Sequence, residues 1–187
     1  MYLASDLRKG LKISIDGDPY IITDFQFSKP GKGQALYRCK LKNMISGNTM
    51  DRTYRSGDKF EKADLQEFPM QYLYNDGDGY HFMNTKTYEQ VSLTNEQVGD
   101  ASNFLKDNME VSILFYQDMP ISITLPNFVE LVVTKSDPGV RGDTATGATK
   151  PATLETGHTI QVPLFIEEGE LLKIDTRTGE YVERVKG

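Results

Sequence analysis

Cysteine is all but absent from this chain of 187 residues, which carries only Cys39. One thiol excludes an internal disulfide and predicts a reducing compartment, the cytoplasm. Histidine is nearly as scarce: His81 and His158 stand alone, with no cysteine or spaced second histidine near either. A metal site needs three or four ligands in recognisable spacing, so no metal is expected. His81, between Tyr80 and Phe82, reads as a packing or sheet-surface residue, and Cys39 as a small buried hydrophobe. No apolar run approaches the roughly 18 residues of a membrane span. The opening Met1-Tyr2-Leu3-Ala4-Ser5-Asp6 lacks the basic and apolar regions of a secretory signal. GxSxG, HExxH and GxGxxG are missing too, and Asp76 and Asp78 sit where a hairpin turn wants Asp for backbone reasons. These absences predict a protein that is not an enzyme and needs no cofactor.

Charge is present but uneven. The net charge of −6 argues against a nucleic-acid binder until its distribution is followed along the chain. Residues 1–64 hold 12 basic and 8 acidic side chains, 65–128 hold 2 and 9, and 129–187 hold 7 and 10. Between Asp24 and Asp51 lie Lys29, Lys32, Arg38, Lys40 and Lys42 and no acid. A basic head on an acidic body predicts one end that meets phosphates while the rest stays non-sticky.

The head reads as short strands. "LKISI" alternates, with Leu11, Ile13 and Ile15 on one face, "DGDP" turns, "YIITDFQF" follows, and "ALYRCKLK" comes after a glycine-flanked lysine. In that last run Leu36, Cys39 and Leu41 are expected inward, with Tyr37 disturbing the pattern, and Arg38, Lys40 and Lys42 share the outer face. Five or so strands in the first 64 residues predict a small β-barrel. The middle third gives two aromatic runs around "NDGDG", then "TYEQVSL". The segment "TNEQVGDASNFLKDN" follows, with Thr94 as cap and Val98, Ala101, Phe104 and Leu105 at helical spacing. Two more strands complete the order of an OB-fold. After the loop "SDPGVRGDTATGATKPATLETG" the last third alternates again, with "TRTGE" as a turn, and reads as a second OB-like barrel without a helix. The expected domains are therefore 1–64, 65–128 and 129–187, in an all-β chain.

"SKPGKGQALYRCK" raises the functional question. A Walker A loop is excluded, because Gln26 stands where its first glycine belongs, Gly33 follows the lysine, and a strand continues instead of a helix. A plain turn accounts for Pro30-Gly31. It does not account for a lone amine on a bare tip with a cationic stripe behind it, a geometry that fits a narrow polyanionic channel. A general OB-fold RNA-binding module remains a second reading of barrels plus a basic strand.

"KPGKGQA" followed by a basic strand, "SDLRKGLKI" and "DGDPY" before it, and "LYNDGDGYHFMN" after it resemble bacterial elongation factor P. "PISITLPNFVELVV", "DPGVRGDTATGATKPATLETG" and "VPLFIEEGELLKIDTRTGEYVERV" extend the similarity nearly to the C-terminus. Two departures are small: Arg141 where the family often has lysine, and Leu125 before Pro126 where many members carry a second proline. The resemblance implies an N-terminal SH3-like (KOW-type) barrel and two OB-folds in an L-shaped, tRNA-like arrangement. It implies a monomer that binds both ribosomal subunits beside the P-site peptidyl-tRNA, between the P and E sites, and relieves stalling at consecutive prolines, with no membrane or DNA partner. Lys32 matches the lysine that modifying enzymes extend, which leaves β-lysylation, another amine-type addition or no modification open, and the loop Pro30, Gly31, Lys32 and Gly33 would face the tRNA acceptor end. Lys29, Arg38, Lys40 and Lys42 would hold RNA backbone. Gly142, Asp143 and Thr144 match a loop near the E-site codon, and Tyr181 and Arg184 match positions facing the small subunit. An elongation-factor-P-like paralogue is the rival within the same fold, and the "PGKG" loop argues against it.

Overall fold

Period-two alternation builds the first sheet. In a computed structural model, in which residues 1–138 and 148–186 are described, six strands run β1 (Tyr2–Leu3), β2 (Lys12–Ile15), β3 (Asp18–Ser28), β4 (Leu36–Asn43), β5 (Thr49–Arg55) and β6 (Lys59–Lys62). They pair in the order β1-β6-β2-β3-β4-β5. The strand beyond the expected five arises because Tyr2 pairs with Phe60 and Leu3 with Lys59. Leu7, Leu11, Ile13, Ile22, Cys39, Leu41 and Phe60 form its core. Burying side chains of this size stabilises by about 1.5–3 kcal/mol each.

One face assignment is corrected. Cys39, Leu41 and Asn43 are buried, and it is Tyr37 that packs on the same core, while Leu36 falls on the face of Arg38, Lys40 and Lys42. Leu36 and Cys39 differ by an odd number, so a regular strand cannot turn both inward. The neighbouring β3 absorbs a register shift between Ile22 and Asp24, which lets Ile22 and Phe25 both face the core.

The second sheet contains β7 (Leu65–Asn75), β8 (Tyr80–Met83), β9 (Gln90–Leu93), β10 (Glu110–Tyr116) and β11 (Met119–Thr124), in the order β11-β10-β7-β8-β9. Between β9 and β10 the helical pattern appears in shortened form: α1 covers only Asn95–Val98, followed by a 3-10 stretch over Gly99–Phe104. Thr94 caps α1, accepting from Gln97 N–H at 3.1 Å while its own N–H donates to Gln97 Oε1 at 2.9 Å. Gly99, at φ 54°, takes the chain out of the α conformation after one turn.

Gly79, in the β7–β8 turn, is fixed by a close approach: a Cβ there would lie 2.9 Å from the Leu93 carbonyl oxygen. Gly79→Ala is therefore expected to cost about 1–3 kcal/mol through overpacking against backbone. A thermal melt checks it, and an unchanged Tm would show that the turn moves aside freely.

The third sheet contains β12 (Phe128–Ser136), β13 (Thr149–Leu154), β14 (Thr159–Pro163), β15 (Leu171–Asp175) and β16 (Glu180–Arg184), in the order β14-β13-β12-β15-β16. The front of β12 pairs with β15 and its end with β13, and β14 returns against β16. Leu131, Val133, Leu154, Val162, Ile166, Leu172 and Ile174 fill its core, joined by Phe104 from the 3-10 stretch.

Two compact units result, Met1–Gln66 with Phe115–Ile121, and Glu67–Leu114 with Ser122–Gly187. Within the first, the Tyr116 hydroxyl donates to the Gly17 carbonyl at 2.8 Å, and Gln117 N–H donates to the Asp64 carbonyl at 3.3 Å.

Candidate functional site

Strands β3 and β4 form a long hairpin whose tip carries the lysine. Their pairing runs from Tyr20 opposite Asn43 to Ser28 opposite Leu36, leaving 29–35 as the loop. Gly33 N–H donates to the Pro30 carbonyl at 3.0 Å, closing a turn with Gly31 and Lys32 at its centre. Lys29, Pro30, Gly31, Lys32 and Gly33 are all exposed.

Neither loop glycine is required by the folded chain itself. No positive φ occurs at Gly31 or Gly33. A Cβ at Gly31 would meet nothing within 4 Å, and one at Gly33 only the Pro30 ring at 3.6 and 3.7 Å, ordinary contact. Gly31→Ala and Gly33→Ala are thus expected to leave stability unchanged or raise it by about 0.4–1 kcal/mol, by narrowing the unfolded ensemble. Thermal melts test this, and a fall in Tm would mean the folded loop itself needs glycine.

The hairpin is stiffened by aromatic rings that sequence reasoning left unassigned. Tyr37 on β4 lies 6.3 Å from Phe25 and 5.2 Å from Phe27 on β3. The signal was there in "DFQF", where alternate phenylalanines share one face.

On the opposite face the structure brings Arg38, Lys40 and Lys42 into one exposed row. Register then supplies what the linear order hid. Lys40 stands opposite Asp24 on β3 and Asp51 on β5, Arg38 opposite Gln26 and Thr53, and Lys42 opposite Ile21 and Thr49. The acid-free stretch of sequence therefore folds with a carboxylate residue on either side of its central lysine, while Arg38 and Lys42 face neutral neighbours. A shallow cavity of about 260 Å³ lies along this row, bordered by Asp24, Arg38, Lys40, Asp51 and Arg52.

Cys39 is 2% exposed beneath the row. Burial pushes its thiol pKa up, which makes it a packing residue and a poor nucleophile. His81 Nε2 lies 2.8 Å from Asp76 Oδ2, and its ring stacks on Tyr74 at 4.6 Å. The hydrogen bond to His81, then those from the Gly79 and Asp78 N–H groups, hold the Asp76 carboxyl below the usual carboxylate range. That pairing favours the fold above the ordinary carboxylate pKa and is lost as pH falls through the lowered one. His158 meets Phe104 edge-on at 5.4 Å.

Tyr181 is half-buried against the third core. Arg184 lies with its guanidinium 4.6 Å from the Phe165 ring centroid and 3.5 Å from Glu170 Oε2, an ion pair without hydrogen-bond geometry. Gly142, Asp143 and Thr144 lie outside the described residues. Among the described residues no group of three His, Cys, Asp or Glu is placed to hold a metal, and no helix is long and apolar enough to cross a membrane.

A KOW-like barrel bearing a basic hairpin, followed by OB-type barrels, defines a translation-factor fold. A solved eukaryotic translation initiation factor 5A from Methanococcus jannaschii is similar to part of it, at TM-score 0.56 and 26% identity over 66% of this chain and 93% of that one. Three family models match in order: the elongation factor P KOW-like domain over residues 3–60, the elongation factor P OB domain over 65–123, and the elongation factor P C-terminal domain over 129–184. Proteins named elongation factor P are 65% identical in Syntrophus aciditrophicus, over 100% of both chains, and 64% in Desulforapulum autotrophicum, over 99% of both. The chain belongs to the elongation factor P family of translation elongation factors.

Proposed function

We propose that this protein binds the ribosome between the P and E sites, beside peptidyl-tRNA, and promotes peptide-bond formation at consecutive prolines. The observation that carries the reading is the hairpin tip: an exposed Lys32 between two glycines that the fold itself does not need. Small residues there make sense where a tip must enter a confined space.

Proline is a poor partner in peptide transfer, because its ring fixes φ and restrains the residue before it. The ribosome supplies the chemistry, so the factor acts without catalysis of its own. Positioning reactants can remove about 7–11 kcal/mol of a barrier in favourable cases. In this mechanism Lys32, lengthened by an amine-type extension such as β-lysine, hydrogen-bonds the tRNA near its acceptor end. Lys29, Arg38, Lys40 and Lys42 hold the neighbouring phosphates. Gly142, Asp143 and Thr144 meet the E-site codon, and Tyr181 and Arg184 the small subunit. The protein works as a cytoplasmic monomer, and its other partners are the enzymes that modify Lys32.

Reconstituted translation of two reporters, with and without a run of prolines, tests the proposal. Adding the factor is expected to raise output of the proline-run reporter alone. An equal effect on both reporters, or none, overturns it.

A further inference from the structure

The start of β12 and the end of β15 place an exposed aromatic ring beneath two cations. Phe128 is 43% exposed and pairs in register with Asp175. Lys173 Nζ lies 4.7 Å from its ring centroid and the Arg177 guanidinium carbon 5.3 Å, both within cation–π range. Arg177 is held in place: its Nε and Nη2 donate to the two Asp175 carboxylate oxygens at 3.1 and 3.0 Å, and its backbone N–H donates to Oδ1 at 2.8 Å. The same arginine borders a cavity of about 300 Å³ whose walls combine Phe104 and Leu125 with Asn127, Thr176 and Asp100. A flat π-cation surface thus adjoins a recess that is partly apolar and partly lined by amide and hydroxyl groups.

Charge decides which occupant fits. Lys173 has Glu183 at 3.8 Å, and Arg177 has Asp175 at 3.0 Å. With an acid beside each cation, a bare anion gains little here. An aromatic base stacks its π-face on the Arg177 guanidinium plane that Phe128 backs, and carries edge donors and acceptors for the recess. We propose that Phe128, Lys173 and Arg177 form a stacking site for one unpaired RNA nucleobase, with the adjoining recess taking the edge of that base or its neighbour. This contact is separate from the Lys32 hairpin. Ribosomal or transfer RNA as its source rests on the function proposed above, but the site itself does not.

Titrating the full chain with a hexaribonucleotide carrying 2-aminopurine, at low salt, reads stacking directly as fluorescence quenching. One platform holds such a probe weakly, at roughly millimolar affinity, whereas a general RNA-binding module would hold it tightly at physiological salt. Phe128→Ala is expected to weaken quenching about 5- to 150-fold, the range of one lost base stack. Arg177→Lys keeps the charge but loses the guanidinium plane and is expected to weaken it less, while Phe128→Tyr retains it. No quenching by the unaltered chain, or equal quenching by Phe128→Ala with its fold intact by thermal melt, overturns the site. A benzophenone side chain placed at position 128 supplies a second arm with whole ribosomes. Crosslinks to RNA support the assignment, and crosslinks to protein overturn it. Should the chain fail to bind ribosomes, the proposed function falls while the quenching arm still decides the site.

Discussion

Lys32→Ala is expected to abolish relief of a proline-run stall, by roughly tenfold or more, while ribosome binding changes little. The side chain is exposed at the centre of a turn closed by Gly33 N–H on the Pro30 carbonyl, so its removal disturbs no packing. What is lost is a positioned amine and whatever extension it carries. A missing positioned hydrogen bond to a charged group accounts for about 1.5–3 kcal/mol, or one to two powers of ten in rate. Translation of the proline-run reporter, alongside sedimentation with ribosomes, gives both readouts, and normal read-through by the variant would sink the assignment of Lys32. Behind the tip the cations should not be equivalent. Arg38 and Lys42 face neutral residues across both strands, whereas Lys40 faces Asp24 and Asp51. Arg38→Ala and Lys42→Ala are accordingly expected to reduce ribosome affinity and its salt dependence more than Lys40→Ala, because an acidic residue stands opposite Lys40 on each neighbouring strand.

Phe104→Ala carries the largest expected loss of stability, about 3–5 kcal/mol. The ring is 5% exposed and belongs to the core built by β12 to β15, although its own segment follows α1. It meets His158 edge-on at 5.4 Å, and the nearest edge of its ring would stand 3.6 Å from a Cβ on Gly179. Beside it the Thr156 hydroxyl donates to the Asn103 carbonyl at 2.6 Å, tying the 3-10 stretch to the third sheet. Deleting the ring leaves a cavity that this hydrogen bond and its neighbours hold open. For a chain of this size the loss corresponds to a fall in Tm of roughly 10 °C. Calorimetry measures it, and a shift under about 2 °C would show that the two halves of the second unit do not share a core through this residue.

Much of this protein was legible without a structure because its signals are local. Alternation placed Ile13, Cys39 and Leu41 inward, Thr94 announced a helix start through its own hydroxyl, and the "NDGDG" and "TRTGE" runs marked turns by backbone demands. The glycine-flanked Lys32 at a hairpin tip needed only its immediate neighbours to be found. Even the mistaken face of Leu36 was a local matter, where apolar character outweighed the parity of the strand.

Other features depend on residues far apart in the chain, and there only the tertiary structure decided. Asp24 and Asp51 bound an acid-free stretch in sequence yet face its central lysine in space, because strand pairing folds both ends back across β4. Phe104 has helical spacing with Val98 and Ala101 but is buried among β-strand residues that begin 25 positions later, at Val129. Phe128 lies 45 residues before Lys173 and 49 before Arg177, and nothing in any one segment shows that the three converge. Sequence alone determined most of the strands and turns and which lysine is presented, since those follow from short-range sterics and periodicity, whereas β1 exists only through its pairing with β6. Which carboxylates stand opposite which cations, which ring joins which core, and where cations cover an aromatic face follow from long-range pairing, which leaves no local mark.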